Sequence, residues 1–146
     1  MKPRIALDAM GGDFAAANTV AGALLAAREV GSQIVLVGRQ DEIEKELKKH
    51  SRVPETVSIV HASETVSMDE SPAAALRRKK DSSLRVAANL VRDGGADALV
   101  SAGNSGAVMA TAMFVLGTVS GVDRPALAAV VPNLKGTTVW LDVGAN

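Results

Sequence analysis

The sequence predicts an α/β fold, a doubly wound and mostly parallel sheet with helices on both faces. Two observations support this prediction. Short runs rich in isoleucine and valine alternate along the chain with helical patterns, as is typical of βαβ units. In addition, a strand pattern such as Ile34-Val35-Leu36-Val37 has no alternating polar residue, which suits a sheet that is covered on both faces.

These patterns predict six strands and five helices. The strands are expected at residues 5–10, 33–38, 57–62, 98–102, 127–131 and 138–143. The helices are expected at residues 15–30, 41–50, 72–79, 83–92 and 105–116. Ser71 before Pro72 is a typical start for the third helix, and Gly94 with Gly95 is a typical end for the fourth.

The composition allows a domain with an aliphatic core. Hydrophobic residues make up 47% of the 146 residues and aromatic residues only 2%. Trp140 is expected to anchor the core or an interface. The 16 basic and 16 acidic residues give a formal net charge of zero, which argues against nucleic acid as a partner.

Several kinds of site are absent from the sequence. The chain has no cysteine, which excludes disulfides, thiolate metal sites and a cysteine nucleophile. His50 and His61 lack the spacing of metal ligands, and the chain has neither a Walker A loop nor a dinucleotide fingerprint. We therefore expect no metal and no cofactor. A serine hydrolase is also disfavoured, because no Gly-x-Ser-x-Gly motif is present.

We expect residues 1–146 to be a single α/β domain and the N-terminal portion of a longer, cytoplasmic protein. The N-terminus has no apolar stretch typical of a signal peptide. The longest apolar run, residues 107–119, is too short to span a bilayer. The chain stops at Asn146, inside a glycine-bearing turn, where natural domains seldom end.

Three glycine-bearing segments follow predicted strands, at residues 8–13, 101–107 and 142–146. In open parallel sheets, ligands bind outside the carboxyl ends of the strands. Right-handed crossovers bring those ends to the same edge, so the three segments are expected to converge. This expectation is the main geometric reason to predict a site.

The segment Gly103-Asn104-Ser105-Gly106 joins a predicted strand to a predicted helix. Unsatisfied N–H groups at a helix start suit an anion such as phosphate. The two glycines allow a ligand to approach the backbone, and Asn104 or Ser105 can cap the helix or donate to a phosphate oxygen. The same residue types also make an ordinary capped turn, so both interpretations stay open.

The segment Asp8-Ala9-Met10-Gly11-Gly12-Asp13 combines two carboxylates with a flexible turn. Gly11 and Gly12 permit a tight turn, and Asp13 either caps the next helix or belongs to the site. Asp8 lies within a strand pattern, where an unpaired carboxylate is costly, so a position facing a pocket is favoured.

Two further segments are candidates. Asp142 and Asn146 flank Gly144 after the last strand, either as site residues or as a hydrogen-bonded turn. The basic run Arg77-Arg78-Lys79-Lys80 is either a solvated helix end or a patch that attracts an acidic partner or a phosphate.

These segments, in this order, closely resemble the bacterial phosphate acyltransferase family of phospholipid synthesis. The motifs that carry the resemblance are residues 8–13, 77–83, 101–107 and 142–146, and the alternating pattern between them matches as well. Ser105 stands where the family often has threonine, and it keeps the hydroxyl. Family members continue well beyond the Asp142-Val143-Gly144-Ala145-Asn146 motif.

The resemblance implies transfer of a long-chain acyl group from acyl carrier protein to inorganic phosphate, which gives acyl phosphate. It also implies a fold akin to the phosphotransacetylases and the isocitrate and isopropylmalate dehydrogenases, a homodimer and peripheral association with the membrane. Two alternatives stay open, a short-chain phosphotransacetylase that uses coenzyme A and a non-catalytic phosphate-binding fragment. The expected roles are catalysis by Asp8, Asn104, Asp142 and Asn146, phosphate binding by Gly11, Gly12, Asp13, Gly103, Ser105 and Gly106, and docking by Arg77, Arg78, Lys79 and Lys80.

Overall fold

A four-stranded parallel sheet forms the centre of the protein in a computed structural model, which describes residues 2–143. The strands are β1 (Arg4–Asp8), β2 (Gln33–Gly38), β3 (Val57–His61) and β4 (Ala98–Val100). They lie in the order β3-β2-β1-β4, and each neighbouring pair is parallel. The predicted α/β fold with a mostly parallel sheet is confirmed.

All five predicted helices are present, as α1 (Ala15–Glu29), α2 (Gln40–Leu47), α3 (Pro72–Arg78), α4 (Ser83–Arg92) and α5 (Ser105–Leu116). The largest difference is the end of α2, which was expected at residue 50. The N–H groups of Lys49 and His50 bond to carbonyls three residues back, so tighter turns replace the last helical turn. Gly94, at φ +73°, follows the end of α4 as predicted.

Alternate residues of the sheet pack into two aliphatic cores. Ile34 and Leu36 of β2 belong to a cluster that includes Leu24 of α1 and Ile43 of α2. Val37 of β2 belongs to a second cluster, with Ala6 of β1 and Ala87 of α4. Helices therefore cover both faces of the sheet, which explains why these strands lack polar alternation.

The last two strands do not join this sheet. β5 (Ala128–Asn133) and β6 (Gly136–Leu141) form a separate antiparallel hairpin. The expectation that they extend the parallel sheet is wrong. Only Leu134 and Lys135 connect the two strands, and parallel strands need a crossover of about a dozen residues. Trp140 in β6 is 59% exposed, so it does not anchor the core of residues 2–143.

The strand order creates a switch point beside β1. The chain runs outward from β1 through β2 to β3 and then crosses to the opposite side of β1 to form β4. In doubly wound sheets, ligands bind at such a reversal, outside the carboxyl ends of the strands. The loops that follow β1 and β4 meet at this place.

Candidate functional site

Two loops meet at the switch point, residues 9–14 after β1 and residues 101–104 after β4. We call them the switch-point loops. Asp8, the last residue of β1, is only 4% exposed. Its Oδ1 accepts the Met10 N–H at 3.1 Å, and its Oδ2 accepts the Ser101 hydroxyl at 2.8 Å. Ser101 Oγ in turn accepts the Gly103 N–H at 3.0 Å. The buried carboxylate therefore ties the two loops together.

Glycine is required where these loops touch. A Cβ on Gly11 would lie 2.8 Å from Asp8 Oδ2 and 2.9 Å from the Gly103 nitrogen, closer than real side chains approach. Gly12 has φ +89°, in the left-handed region that favours glycine, and it lies against Ala102. The predicted convergence of the segments at residues 8–13 and 101–107 is thus present.

The N-terminus of α5 opens beside the switch-point loops. Asn104 is its N-cap, and its Oδ1 accepts the Ala107 N–H at 3.0 Å. Within residues 2–143, the N–H groups of Ser105 and Gly106 have no protein acceptor. Ser105 is exposed and Gly106 is half-buried. Two main-chain donors are therefore free at a helix start, where the helix dipole also favours an anion.

Asn104 also holds a third loop. Its Nδ2 donates to the carbonyl oxygens of Met68 at 2.7 Å and Glu70 at 3.0 Å. Both amide hydrogens are therefore engaged, and a contact from this amide to phosphate would have to replace one of these bonds. The expected donor role of Asn104 stays a prediction, and its observed role is to join α5 to the chain that follows β3.

Sequence reasoning missed this third loop, residues 62–71, which we call the β3–α3 loop. Lys79 Nζ donates to Thr65 O at 2.6 Å and pairs with Glu70 Oε2 at 2.5 Å. The hydrogen bond from Lys79 lowers the pKa of Glu70 below its usual value. The sequence carried a signal for this loop, because a segment rich in serine, glutamate and aspartate follows β3 and ends at the start of α3.

A second carboxylate holds the start of the β3–α3 loop. Asp81 Oδ2 accepts the hydroxyl of Ser63 at 2.5 Å and its N–H at 2.8 Å, and these bonds lower the pKa of Asp81. Asp81 N–H donates to Glu64 Oε2 at 2.9 Å. Residues 63–70 are therefore fixed by Lys79 and Asp81, which follow the C-terminal end of α3, and by Asn104, the N-cap of α5.

The basic run divides into two parts. Arg77, Arg78 and Lys80 are exposed, whereas Lys79 is half-buried in its bonds to the β3–α3 loop. Three of the four predicted docking residues are thus accessible. Lys79 is occupied within the fold.

The remaining candidates lie outside this cluster. Asp13 is exposed, and the interpretation that it caps α1 is wrong, because Phe14 is the N-cap and no side-chain cap bond forms. Asp142 follows β6, and its N–H donates to Leu127 O at 2.7 Å. The expectation that its loop follows a strand of the parallel sheet is wrong, since β6 belongs to the hairpin. Gly144 and Asn146 lie outside the described residues.

Residues 2–143 contain neither a candidate membrane-spanning helix nor a candidate metal site. No helix in this range is long and apolar enough to cross a membrane. No group of three or more histidine, cysteine or acidic side chains in the same range could hold a metal ion.

Comparisons with known proteins agree on one family. A family model described as "Fatty acid synthesis protein" matches residues 3–146. The chain is 55% identical over 143 residues to the phosphate acyltransferase of Pelotomaculum thermopropionicum, a match that covers 98% of this chain and 42% of that protein. It is 54% identical over 143 residues to the phosphate acyltransferase of Geobacter sulfurreducens, covering 98% and 41%. It is 56% identical over 144 residues to that of Heliobacterium modesticaldum, covering 98% and 43%. The chain thus spans about two fifths of the length of these relatives.

Proposed function

The chain belongs to the fatty acid synthesis protein family, and from this premise we propose that it is the N-terminal part of a longer phosphate acyltransferase. Residues 1–146 would make one α/β domain of that enzyme. The enzyme moves a long-chain acyl group from acyl carrier protein to inorganic phosphate and releases acyl phosphate for phospholipid synthesis. Relatives that are named phosphate acyltransferase support the reaction class.

The chemistry suits a chain without cysteine. Inorganic phosphate is already an anion near neutral pH, so it needs no protein nucleophile. One of its oxygens attacks the thioester carbonyl carbon, and the carbon–sulfur bond breaks as the thiolate leaves. The protein has to hold phosphate beside the carbonyl and stabilise the oxyanion of the tetrahedral intermediate.

The observation that carries the proposal is the pair of free N–H groups at the start of α5, beside the glycine-lined switch point. Ser105 and Gly106 supply main-chain donors without a protein acceptor in residues 2–143. Gly11, Gly12 and Gly103 let the two switch-point loops pack closely together beside this helix start. We assign phosphate to this position, with the Ser105 hydroxyl as an additional donor.

The aspartates have an indirect role in this proposal, because carboxylates repel phosphate. Asp8 is buried and forms no ion pair within residues 2–143. A buried carboxylate is stabilised by a cation, so we propose that a lysine or arginine of the longer protein pairs with Asp8 and faces the phosphate. We propose that Asp13 and Asp142 likewise orient hydrogen-bond donors of the site. Asn146 contributes its side-chain amide to the reacting groups.

We also propose a carrier-protein partner, a second copy of the chain and a location. Arg77, Arg78 and Lys80 form an exposed basic patch that would dock an acidic carrier protein. The full-length protein would be a cytoplasmic homodimer that associates peripherally with the membrane.

An assay with two acyl donors tests this function. Phosphate-dependent loss of thioester is measured with acyl carrier protein and with coenzyme A as carriers, for residues 1–146 and for the full-length protein. The proposal predicts turnover of the carrier-protein thioester by the full-length protein. Turnover of short coenzyme A thioesters alone would replace it with a phosphotransacetylase, and phosphate binding without turnover would leave a binding module.

Charge reversal tests the docking patch. Arg77→Glu with Arg78→Glu should raise KM for the carrier-protein thioester about tenfold at low salt, and less in added salt, because long-range attraction is screened. KM for phosphate should change little. Lys45→Glu with Lys48→Glu, in α2 and at its C-cap, is the matched control, since both lysines are exposed. An equal effect of the two double variants would remove the patch from the proposal.

A further inference from the structure

Within residues 2–143, Ser101 is the one side chain whose hydrogen bonds link Asp8 to the turn that leads into α5. A carboxylate accepts and does not donate, so the 2.8 Å contact between Ser101 Oγ and Asp8 Oδ2 uses the hydroxyl hydrogen. The 3.0 Å contact with the Gly103 nitrogen then uses an oxygen lone pair, with the N–H as donor. The direction of both hydrogen bonds is therefore fixed by the chemistry of the groups.

This arrangement divides the main-chain donors near the switch point into two sets. The Gly103 N–H is engaged by Ser101, and the Ala107 N–H is engaged by Asn104. The N–H groups of Asn104, Ser105 and Gly106 lie between them and have no protein acceptor in residues 2–143, and those of Ser105 and Gly106 belong to the first turn of α5.

The tight packing around Ser101 gives the link little freedom. A Cβ on Gly11 would lie 3.0 Å from Ser101 Oγ, and a Cβ on Gly103 would lie 3.2 Å from the same oxygen. A Cβ on Gly103 would also lie 3.6 Å from Asp8 Oδ2, so the turn packs close to the carboxylate. Without the hydroxyl, the Gly103 N–H loses this acceptor, and we expect the turn and the start of α5 to shift.

We propose that Ser101 is a positioning residue for the anion. Its hydroxyl links the Gly103 N–H to the buried Asp8, so that the Gly103 N–H is engaged. Phosphate therefore binds to the N–H groups of Ser105 and Gly106 and not to that of Gly103. The inference rests on the proposed function for the identity of the anion. The hydrogen bonds that it requires do not depend on catalysis.

Amide hydrogen exchange tests the link without any activity. In the ¹⁵N-labelled full-length protein, the Gly103 amide should exchange slowly, and Ser101→Ala should speed its exchange at least about tenfold, as expected for a lost hydrogen bond. Ser101→Thr keeps the hydroxyl and should restore slow exchange. Ser58→Ala, at an exposed position on β3, is the matched control and should not change it. Equal Gly103 exchange in wild type and Ser101→Ala would overturn the inference.

Phosphate titration and kinetics test the division of donors. Inorganic phosphate should shift the Ser105 and Gly106 amide resonances of the wild type and leave Gly103 nearly unchanged, whereas a Gly103 shift as large as theirs would overturn the inference.

Ser101→Ala should raise KM for phosphate about tenfold and leave KM for the acyl donor within about twofold. An unchanged KM for phosphate, or an equal rise in both constants, would also overturn it. A wild type with no turnover would contradict the proposed function, while the exchange and titration results would still decide the role of Ser101.

Discussion

Gly11 is the residue at which the two switch-point loops approach most closely. Its missing side chain leaves room for both the Asp8 carboxylate and the Gly103 nitrogen. Neither neighbour can move easily, because Asp8 is buried at a strand end and Gly103 is bonded to Ser101. The meeting of the loops therefore depends on this position.

Gly11→Ala should lower the free energy of unfolding by about 1–3 kcal/mol, the usual cost of overpacking a tight site. The matched control is Gly22→Ala, in the middle of α1, where a Cβ would meet nothing within 4 Å. That change should stabilise the helix by about 0.5–1 kcal/mol. Urea denaturation of the full-length protein measures both, and an unchanged stability in Gly11→Ala would contradict the packing described here.

Asn104 caps α5 and also bridges α5 to the β3–α3 loop, and two substitutions separate these two roles. Asn104→Ala loses both, so it should cost about 1 kcal/mol of stability and raise KM for phosphate. Asn104→Ser retains a capping oxygen for Ala107 but is too short to reach Met68 and Glu70. If the bridge orders the site, the serine variant recovers stability and keeps the high KM. A wild-type KM in both variants would remove Asn104 from the site.

At the residue scale, about half of the site could be predicted from the sequence. Asp8, Gly11 and Gly103 could be predicted, because strand ends and glycine turns are local patterns. The bonds from Ser101 to Asp8 and from Asn104 to Glu70 join residues 93 and 34 positions apart. Such pairings depend on strand order and helix placement, which local patterns do not specify.

At the level of elements, the β3–α3 loop depends on an ion pair that responds to pH. Lys79 lowers the pKa of Glu70 below its ordinary value of 4.5, so ionised Glu70 stabilises the folded state. That contribution is complete above pH 4.5 and is lost as the pH falls through the lower, folded-state pKa. Glu70→Gln removes it at every pH.

The difference in unfolding free energy between wild type and Glu70→Gln should thus be constant near neutral pH and shrink below pH 4.5. Urea denaturation over a pH series measures it. Glu55→Gln is the control, since Glu55 is exposed and forms no ion pair within residues 2–143. A difference that stays constant down to pH 3 would show that the Glu70–Lys79 pair does not stabilise the fold.

Helices and parallel strands were predictable at this level, and the hairpin was not. The helical patterns are long and periodic, and all five were found within the described residues. The error concerned β5 and β6, whose apolar runs look like buried parallel strands. The length of their connection was the better guide, because two residues allow only an antiparallel turn.

For the whole molecule, the exposed apolar surface supports the proposal of a longer protein. Phe114 is 64% exposed, and Trp140 and Leu141 on the hairpin are 59% and 70% exposed. A two-stranded hairpin is marginally stable by itself, and a hairpin with exposed apolar side chains usually packs against further protein. The relatives are more than twice as long as this chain, so additional protein of this kind is available in the proposal.

The central claim is that phosphate binds at the switch point, at the start of α5. The most direct test is a crystal structure of the full-length protein with arsenate, a phosphate analogue with anomalous scattering. We predict arsenate oxygens about 2.7–3.1 Å from the main-chain nitrogens of Ser105 and Gly106. Arsenate ordered at another site, with none at the start of α5, would contradict the claim.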